Sequence, residues 1–276
     1  MRTTAGVDVG STYTKAAVMG GDGELLGTAI VATGFRLNQV AEEALERACG
    51  AARVPRDDVA YVCSTGYGRY QVGFRDVQVT DLTAQAWGSR RFFPATRTVL
   101  DVGGQTMKAI RVEERGRVQQ FRLNDKCAAG TGAFLEKTAR YLGHRIEEMG
   151  EVVEAAGDPV PISGVCAVFA ESEVINHVSA GASPGDIMHG AMRSLVQRSV
   201  QLMKRVKMEP EFTLVGGIMR FPTMIRVMQE QLHASVNVPP GELVQFTGAI
   251  GAAVLARRRL ERLGLAAAAD VAGAAA

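Results

Sequence analysis

No two cysteines in this sequence lie close enough to read as a disulfide staple or a zinc knuckle. The four present, Cys49, Cys63, Cys127 and Cys166, are widely spaced, whereas a structural zinc site within one chain uses short-spaced pairs. A metal held by cysteine here must draw its ligands from distant segments or from two chains. No apolar run reaches the roughly 18 residues of a spanning helix. Met1-Arg2-Thr3-Thr4 leads straight into a strand without a signal-peptide core, so a soluble, cytoplasmic protein with no membrane partner is expected. Charge of one sign is also missing. The formal net charge is +2, and lysine and arginine are scattered, which gives no electrostatic case for nucleic acid. Arg257-Arg258-Arg259 is the one basic cluster and reads as a solvated helix end. His144, His177, His189 and His233 share no ligand spacing and read as structural or surface residues. There is no Gly-x-x-x-x-Gly-Lys-Ser/Thr loop, which excludes a P-loop NTPase.

What the sequence does contain is a repeat. Ala5-Gly6-Val7-Asp8-Val9-Gly10 is an apolar strand ending in a turn, Ser11 to Met19 a second strand, and Glu24 to Val31 a third after a glycine turn. An amphipathic helix over 38–51 and a strand over 59–66 follow. The same grammar restarts at Thr98 with Asp101-Val102-Gly103-Gly104-Gln105, and Lys108 follows Asp101 at the spacing by which Lys15 follows Asp8. The two copies are about 93 residues apart. The expected fold is therefore α/β, built from two related halves with the active site in the cleft between them. Residues 1–94 form the first half, joined by a C-terminal helix over 247–263, and 95–246 the second, with inserted helices. Helices are expected over 130–149, 170–180 and 186–206, with Asp186 as the N-cap of the last, and over 221–232. A strand is expected over 212–215, a short one over 236–238, and a frayed tail beyond Gly264.

An Asp-x-Gly turn at a strand end can hold Mg²⁺ through water while its glycines admit a phosphate chain to the backbone amides. One such turn is weak evidence; two in register across a duplication are strong. Candidate phosphate contacts are Gly10, Ser11, Thr12 and Lys15 in the first copy, and Gly103, Gly104 and Lys108 in the second. Asp8 and Asp101 are the metal-organising carboxylates, and Gln105 is placed to orient a water. Val215-Gly216-Gly217 is a third loop, where glycine lets a flat ring or ribose lie on the backbone. Cys127 precedes a small-residue turn and an amphipathic run. A helix N-terminus there would favour its thiolate, as nucleophile, metal ligand or merely polarised thiol. Glu171 and Glu173 either cap a helix or carry signal between sites. Cys49 and Cys63 sit on a helix face and inside a strand and read as buried packing residues.

The order of the loops resembles that of the acetate kinase, sugar kinase, Hsp70 and actin superfamily, which implies duplicated ribonuclease H-like domains binding ATP and Mg²⁺. Asp8-Val9-Gly10-Ser11-Thr12 looks like its first phosphate loop, Asp101 to Gln105 its second, and Val215-Gly216-Gly217 its adenosine loop. Within it, Asn124-Asp125-Lys126-Cys127-Ala128-Ala129-Gly130-Thr131-Gly132 and Gly164-Val165-Cys166-Ala167-Val168-Phe169-Ala170-Glu171 resemble the ATP-dependent activators of 2-hydroxyacyl-CoA dehydratases and the ATPase subunits of benzoyl-CoA reductase. Ser64 to Arg69 and Phe246 to Ala252 also fit.

That resemblance implies an ATPase coupled to low-potential electron transfer, with Cys127 and Cys166 of two chains holding one [4Fe–4S] cluster. It further implies a homodimer or a pairing with a paralogous ATPase subunit, a ferredoxin or flavodoxin as donor, and a catalytic dehydratase or reductase component as acceptor. Two alternatives stay open: a small-molecule kinase of the same superfamily, with Asp101 as general base, and a nucleotide-dependent scaffold.

Overall fold

The computed structural model describes residues 2–124, 131–163 and 167–274. The chain divides into two compact units, one formed by Met1–Phe92 with Phe246–Ala276 and the other by Phe93–Gln245.

The first unit is built on a five-stranded sheet of order β3-β2-β1-β4-β5. Its strands are β1 (Thr3–Val9), β2 (Tyr13–Met19), β3 (Leu25–Ala32), β4 (Val59–Gly66) and β5 (Val77–Gln78). The two-residue period of β1 divides its side chains between the faces. Ala5, Val7 and Val9 join the core formed with Ala41, Ala44, Leu45 and Ala48 of helix α1 (Leu37–Ala52). On the other face, helix α8 (Thr247–Ala274) lies so close to Gly6 that a Cβ there would sit 2.0 Å from the Ala249 carbonyl oxygen. Helix α2 (Asp81–Phe92) packs on α8 through two more missing side chains: a Cβ at Gly88 would meet the Thr247 oxygen at 2.0 Å, and one at Gly251 the Ala84 oxygen at 1.8 Å. Small residues are required where helix backbones come this close. Helix α8 also continues to Ala274, past the expected end at 263, because the tract after Gly264 is rich in alanine, the strongest helix former.

The second unit repeats the meander in a four-stranded sheet of order β8-β7-β6-β9. Here the strands are β6 (Thr98–Val102), β7 (Met107–Val112), β8 (Val118–Asn124) and β9 (Phe212–Val215). Its core is Met-rich: Met188, Met192, Leu195 and Met203 of helix α6 (Pro184–Arg205) pack with Leu100, Met107 and Leu135. The remaining helices are α3 (Gly132–Tyr141), α4 (Met149–Glu154), α5 (Ala167–Ser179) and α7 (Pro222–Leu232). Three local expectations are corrected. The helix expected over 130–149 is broken, because Gly143 adopts φ 78 and the chain makes the paired Gly143-to-Arg140 and His144-to-Ala139 bonds of a Schellman stop. The N-cap of α6 is Ser183 and not Asp186: the Ser183 hydroxyl accepts the Asp186 amide at 3.1 Å with Pro184 at the first helical position. Asp186 closes the cap from the third position and also accepts the Gly157 and Asp158 amides. Residues 236–238 make a single parallel bridge, Thr213 to Asn237, before Pro239-Pro240 ends the pairing.

Candidate functional site

In both units a hairpin sets the same register. Asp8 lies directly opposite Lys15 on β1 and β2, and Asp101 directly opposite Lys108 on β6 and β7. The intervening turns share their closing bond, Gly10 amide to Tyr13 oxygen at 3.2 Å and Gly103 amide to Thr106 oxygen at 2.9 Å. A Cβ would stand 2.7 Å from the Tyr13 oxygen at Gly10 and 3.0 Å from the Thr106 oxygen at Gly103. The next strand, parallel in each unit, repeats as well. β4 ends in Gly66 with φ 87, and β9 runs into Gly216 with φ 103; their missing Cβ atoms would fall 2.5 Å from the Val9 oxygen and 2.2 Å from the Val102 oxygen. The residue after each aspartate thus packs against a glycine that no other residue can replace without strain.

The carbonyl groups of both turns are tied back into the protein. In the first, Thr33 just past the end of β3, 4% exposed, donates its amide to the Thr12 oxygen (3.0 Å) and its hydroxyl to the Gly10 oxygen (2.8 Å). In the second, the first amides of α3 do this: Gly132 donates to the Gly103 oxygen at 3.0 Å and Ala133 to the Gly104 oxygen at 2.8 Å. The amides of Ser11, Thr12, Gly104 and Gln105 make no hydrogen bond among the described residues. Carbonyls turned inward and amides left over are what an anion-binding turn requires. Ser11 and Gln105 are exposed, while Gly10, Thr12, Gly103 and Gly104 are half-buried.

The two aspartates sit differently. Asp101 is 4% exposed and accepts from Lys108 Nζ at 3.0 Å; Lys108 is thus an ion-pair partner of the carboxylate, because the hairpin places it directly across. Asp8, 9% exposed, lies beside Gly66 and Gly248, whose Cβ atoms would stand 2.4 Å from Oδ1 and 2.7 Å from Oδ2. In the third loop, Val215 is buried, the Gly216 amide donates to the Val244 oxygen at 3.1 Å, and Gly217 opens a 3-10 turn facing Gln245. Thr33 gives no sign in sequence of being a site residue, since nothing local says that it reaches the turn; Gly66 and Gly248 fall in the stretches Ser64 to Arg69 and Phe246 to Ala252 that fit the family, but their place beside Asp8 comes from the fold.

Cys127 and Cys166 lie outside the described residues, and the described residues hold no cluster of three His, Cys, Asp or Glu side chains able to bind a metal. Of α3, expected to present its N-terminus to Cys127, the first two amides serve Gly103 and Gly104. Helix α5 starts at Ala167, immediately after Cys166. It is braced at Glu173, which accepts the Ser163 amide, at His177, 3.1 Å from the Pro161 oxygen, and at Glu171, 2.6 Å from Lys137 of α3. Cys49 and Cys63 are free buried thiols. Burial raises both, Cys63 to about 12.

One family profile spans residues 5–256, that of the BadF/BadG/BcrA/BcrD ATPases. The chain belongs to this family. It is 38% identical over 253 residues to the activator of lactoyl-CoA dehydratase of Anaerotignum propionicum, covering 92% of this chain and 96% of the relative. To one of the subunits of benzoyl-CoA reductase from Thauera aromatica it is 33% identical over 275 residues, 95% of this chain and 96% of that one. The activator of the 2-hydroxyisocaproyl-CoA dehydratase from Clostridium difficile, solved with bound ADPNP, superposes with a TM-score of 0.88 at 34% identity, covering 95% of this chain and 97% of that one. The fold is the duplicated ribonuclease H-like, actin-type ATPase fold. No helix among the described residues is long and apolar enough to cross a membrane.

Proposed function

We propose that this ATPase hydrolyses MgATP to drive single electrons at low potential into a catalytic acyl-CoA dehydratase or aromatic acyl-CoA reductase component. The observation that carries the reading is the duplicated Asp-x-Gly turn, with its carbonyls tied inward and its amides left over, in a chain whose relatives are activators and ATPase subunits. Asp8 and Asp101 organise Mg²⁺ and its water. The amides of Ser11, Thr12, Gly104 and Gln105 receive the phosphate oxygens, aided by Lys15. Gln105 orients the attacking water, which adds to the γ-phosphorus as the bond to the ADP oxygen breaks. Val215-Gly216-Gly217 seats the adenosine. Cys127 and Cys166 of two chains would hold a [4Fe–4S] cluster, which would supply one-electron chemistry, with a ferredoxin or flavodoxin as the electron donor. The tie from Gly132 and Ala133 to the second turn supports a link between the nucleotide and the segment that carries Cys127.

The test is anaerobic purification followed by iron analysis and an ATPase assay. The expected protein is brown, carries about four irons per two chains and hydrolyses MgATP; Cys127→Ser loses the iron. A colourless protein that phosphorylates a sugar or acid hydroxyl would overturn the proposal in favour of a kinase.

A further inference from the structure

We propose that Gln85 of α2 is a positioning residue for the Asp8 carboxylate, an inference that rests on the reading of Asp8 as a residue organising Mg²⁺. Gln85 is 8% exposed although it carries a fully polar amide. A Cβ at Gly248 would stand 2.7 Å from Asp8 Oδ2 and 3.4 Å from Gln85 Nε2, so the carboxylate and the amide flank the same missing side chain. Thr65 joins them: it is the register partner of Asp8 on the parallel strand β4, it is fully buried, and its hydroxyl has no hydrogen-bond partner among the described residues. Neighbouring register partners on parallel strands project to the same face. A buried carboxylate is stable only among donors, and these two neutral side chains can donate without cancelling its charge. In the second turn Lys108 Nζ stands 3.0 Å from the Asp101 carboxylate.

The framework around Gln85 is rigid. Ala84 and Gly88, which flank it on α2, meet α8 at Gly251 and Thr247, where no side chain intervenes. The amide is therefore carried by a helix pair locked backbone to backbone, and the first turn of α8 passes the carboxylate at Gly248. Positioning built this way fixes the carboxylate through elements distant in sequence from the turn. Its loss should weaken Mg²⁺-dependent hydrolysis without weakening nucleotide binding in the absence of the metal.

The experiment compares wild type, Gln85→Met and Asp8→Asn, all as full-length protein. Methionine keeps the length of the side chain and removes the donor. For Gln85→Met, kcat for MgATP hydrolysis should fall by about tenfold or more and the Mg²⁺ concentration for half-maximal rate should rise, with ATP affinity in EDTA unchanged and Tm lowered only as far as the loss of one donor to a buried carboxylate requires. Gln85→Asn, which retracts the amide by one carbon, should lose kcat in the same way, and it serves should the methionine variant fail to fold. Wild-type kcat and Mg²⁺ dependence in a folded Gln85 variant, beside an inactive Asp8→Asn, would overturn the role of Gln85 alone. Full hydrolysis by Asp8→Asn would overturn both this inference and the reading of Asp8 on which it rests.

Discussion

Gly216→Ala is the substitution on which the geometry of the second unit makes its sharpest demand. The residue holds φ 103 and ψ 156, a region essentially reserved for glycine, and keeping another residue there costs about 1–3 kcal/mol. The added Cβ would also stand 2.2 Å from the Val102 oxygen and 2.8 Å from the Val102 carbonyl carbon. Both obstacles are main chain, so no rotamer relieves them; the end of β9 must move off β6. Forced overpacking of this kind adds about 1–3 kcal/mol, which brings the expected destabilisation to about 4 kcal/mol. Gly241→Ala is the matched control, because Gly241 also has positive φ, 52, yet its Cβ would meet nothing within 4 Å. It should lose only the left-handed penalty, about 1 kcal/mol. Urea unfolding followed by far-UV circular dichroism measures both, with hydrogen exchange at β6 and β9 locating the change. Equal losses within about 0.5 kcal/mol would refute the argument that the Val102 contact constrains this loop. A nucleotide titration should show the parallel effect, weaker ATP binding for Gly216→Ala and none for Gly241→Ala.

Three further outcomes are expected. Lys108→Met leaves a buried carboxylate without its cation and should cost about 3 kcal/mol, most of it recovered in the double variant with Asp101→Asn; a denaturant double-mutant cycle decides. The Cys63 thiol, raised by burial from 9.0 to about 12, stays protonated in the fold while the unfolded chain ionises. Its contribution to stability is therefore complete below about pH 9 and lost as pH rises towards 12, so Cys63→Ala should flatten the alkaline limb of a stability–pH profile, and iodoacetamide at about pH 8 should leave Cys63 unmodified in peptide mass spectra. Asp186 is held below the usual carboxylate range first by the Ser183 hydroxyl and then by the Asp158 amide. That stabilisation is present above the unfolded value and lost as pH falls, so Asp186→Asn should reduce the acid sensitivity of the α6 terminus, read by hydrogen exchange, whereas Ser183→Ala should cost about 1 kcal/mol of stability.

The features legible in sequence are those that close over a few residues. An Asp-x-Gly turn followed by a lysine seven residues after the aspartate defines a hairpin whose register follows from turn geometry, so Asp8 opposite Lys15 and Asp101 opposite Lys108 could be read from the repeat itself. The meander in each sheet was accessible through the same repeat, and the buried fates of Cys49 and Cys63 through the periods of α1 and β4. Local signals also competed: at the start of α6, Ser183 and Asp186 both have capping chemistry, and Pro184 at the first helical position decides for Ser183. The break after Tyr141 was written in Gly143 but masked by an apolar pattern that runs through it.

What the sequence by itself determined, then, is the duplication, the two aspartate turns and the family. Tertiary structure alone decided what surrounds the Asp8 carboxylate. Asp8 lies beside Gly248, with Thr65 as its register partner and Gln85 across the same missing side chain, because β4, α2 and α8 are brought to the end of β1 by packing that depends on glycines at helix crossings, and no spacing along the chain encodes which side chains such a crossing exposes to each other. Asp101 meets Lys108 because a hairpin partner is always a near neighbour in sequence.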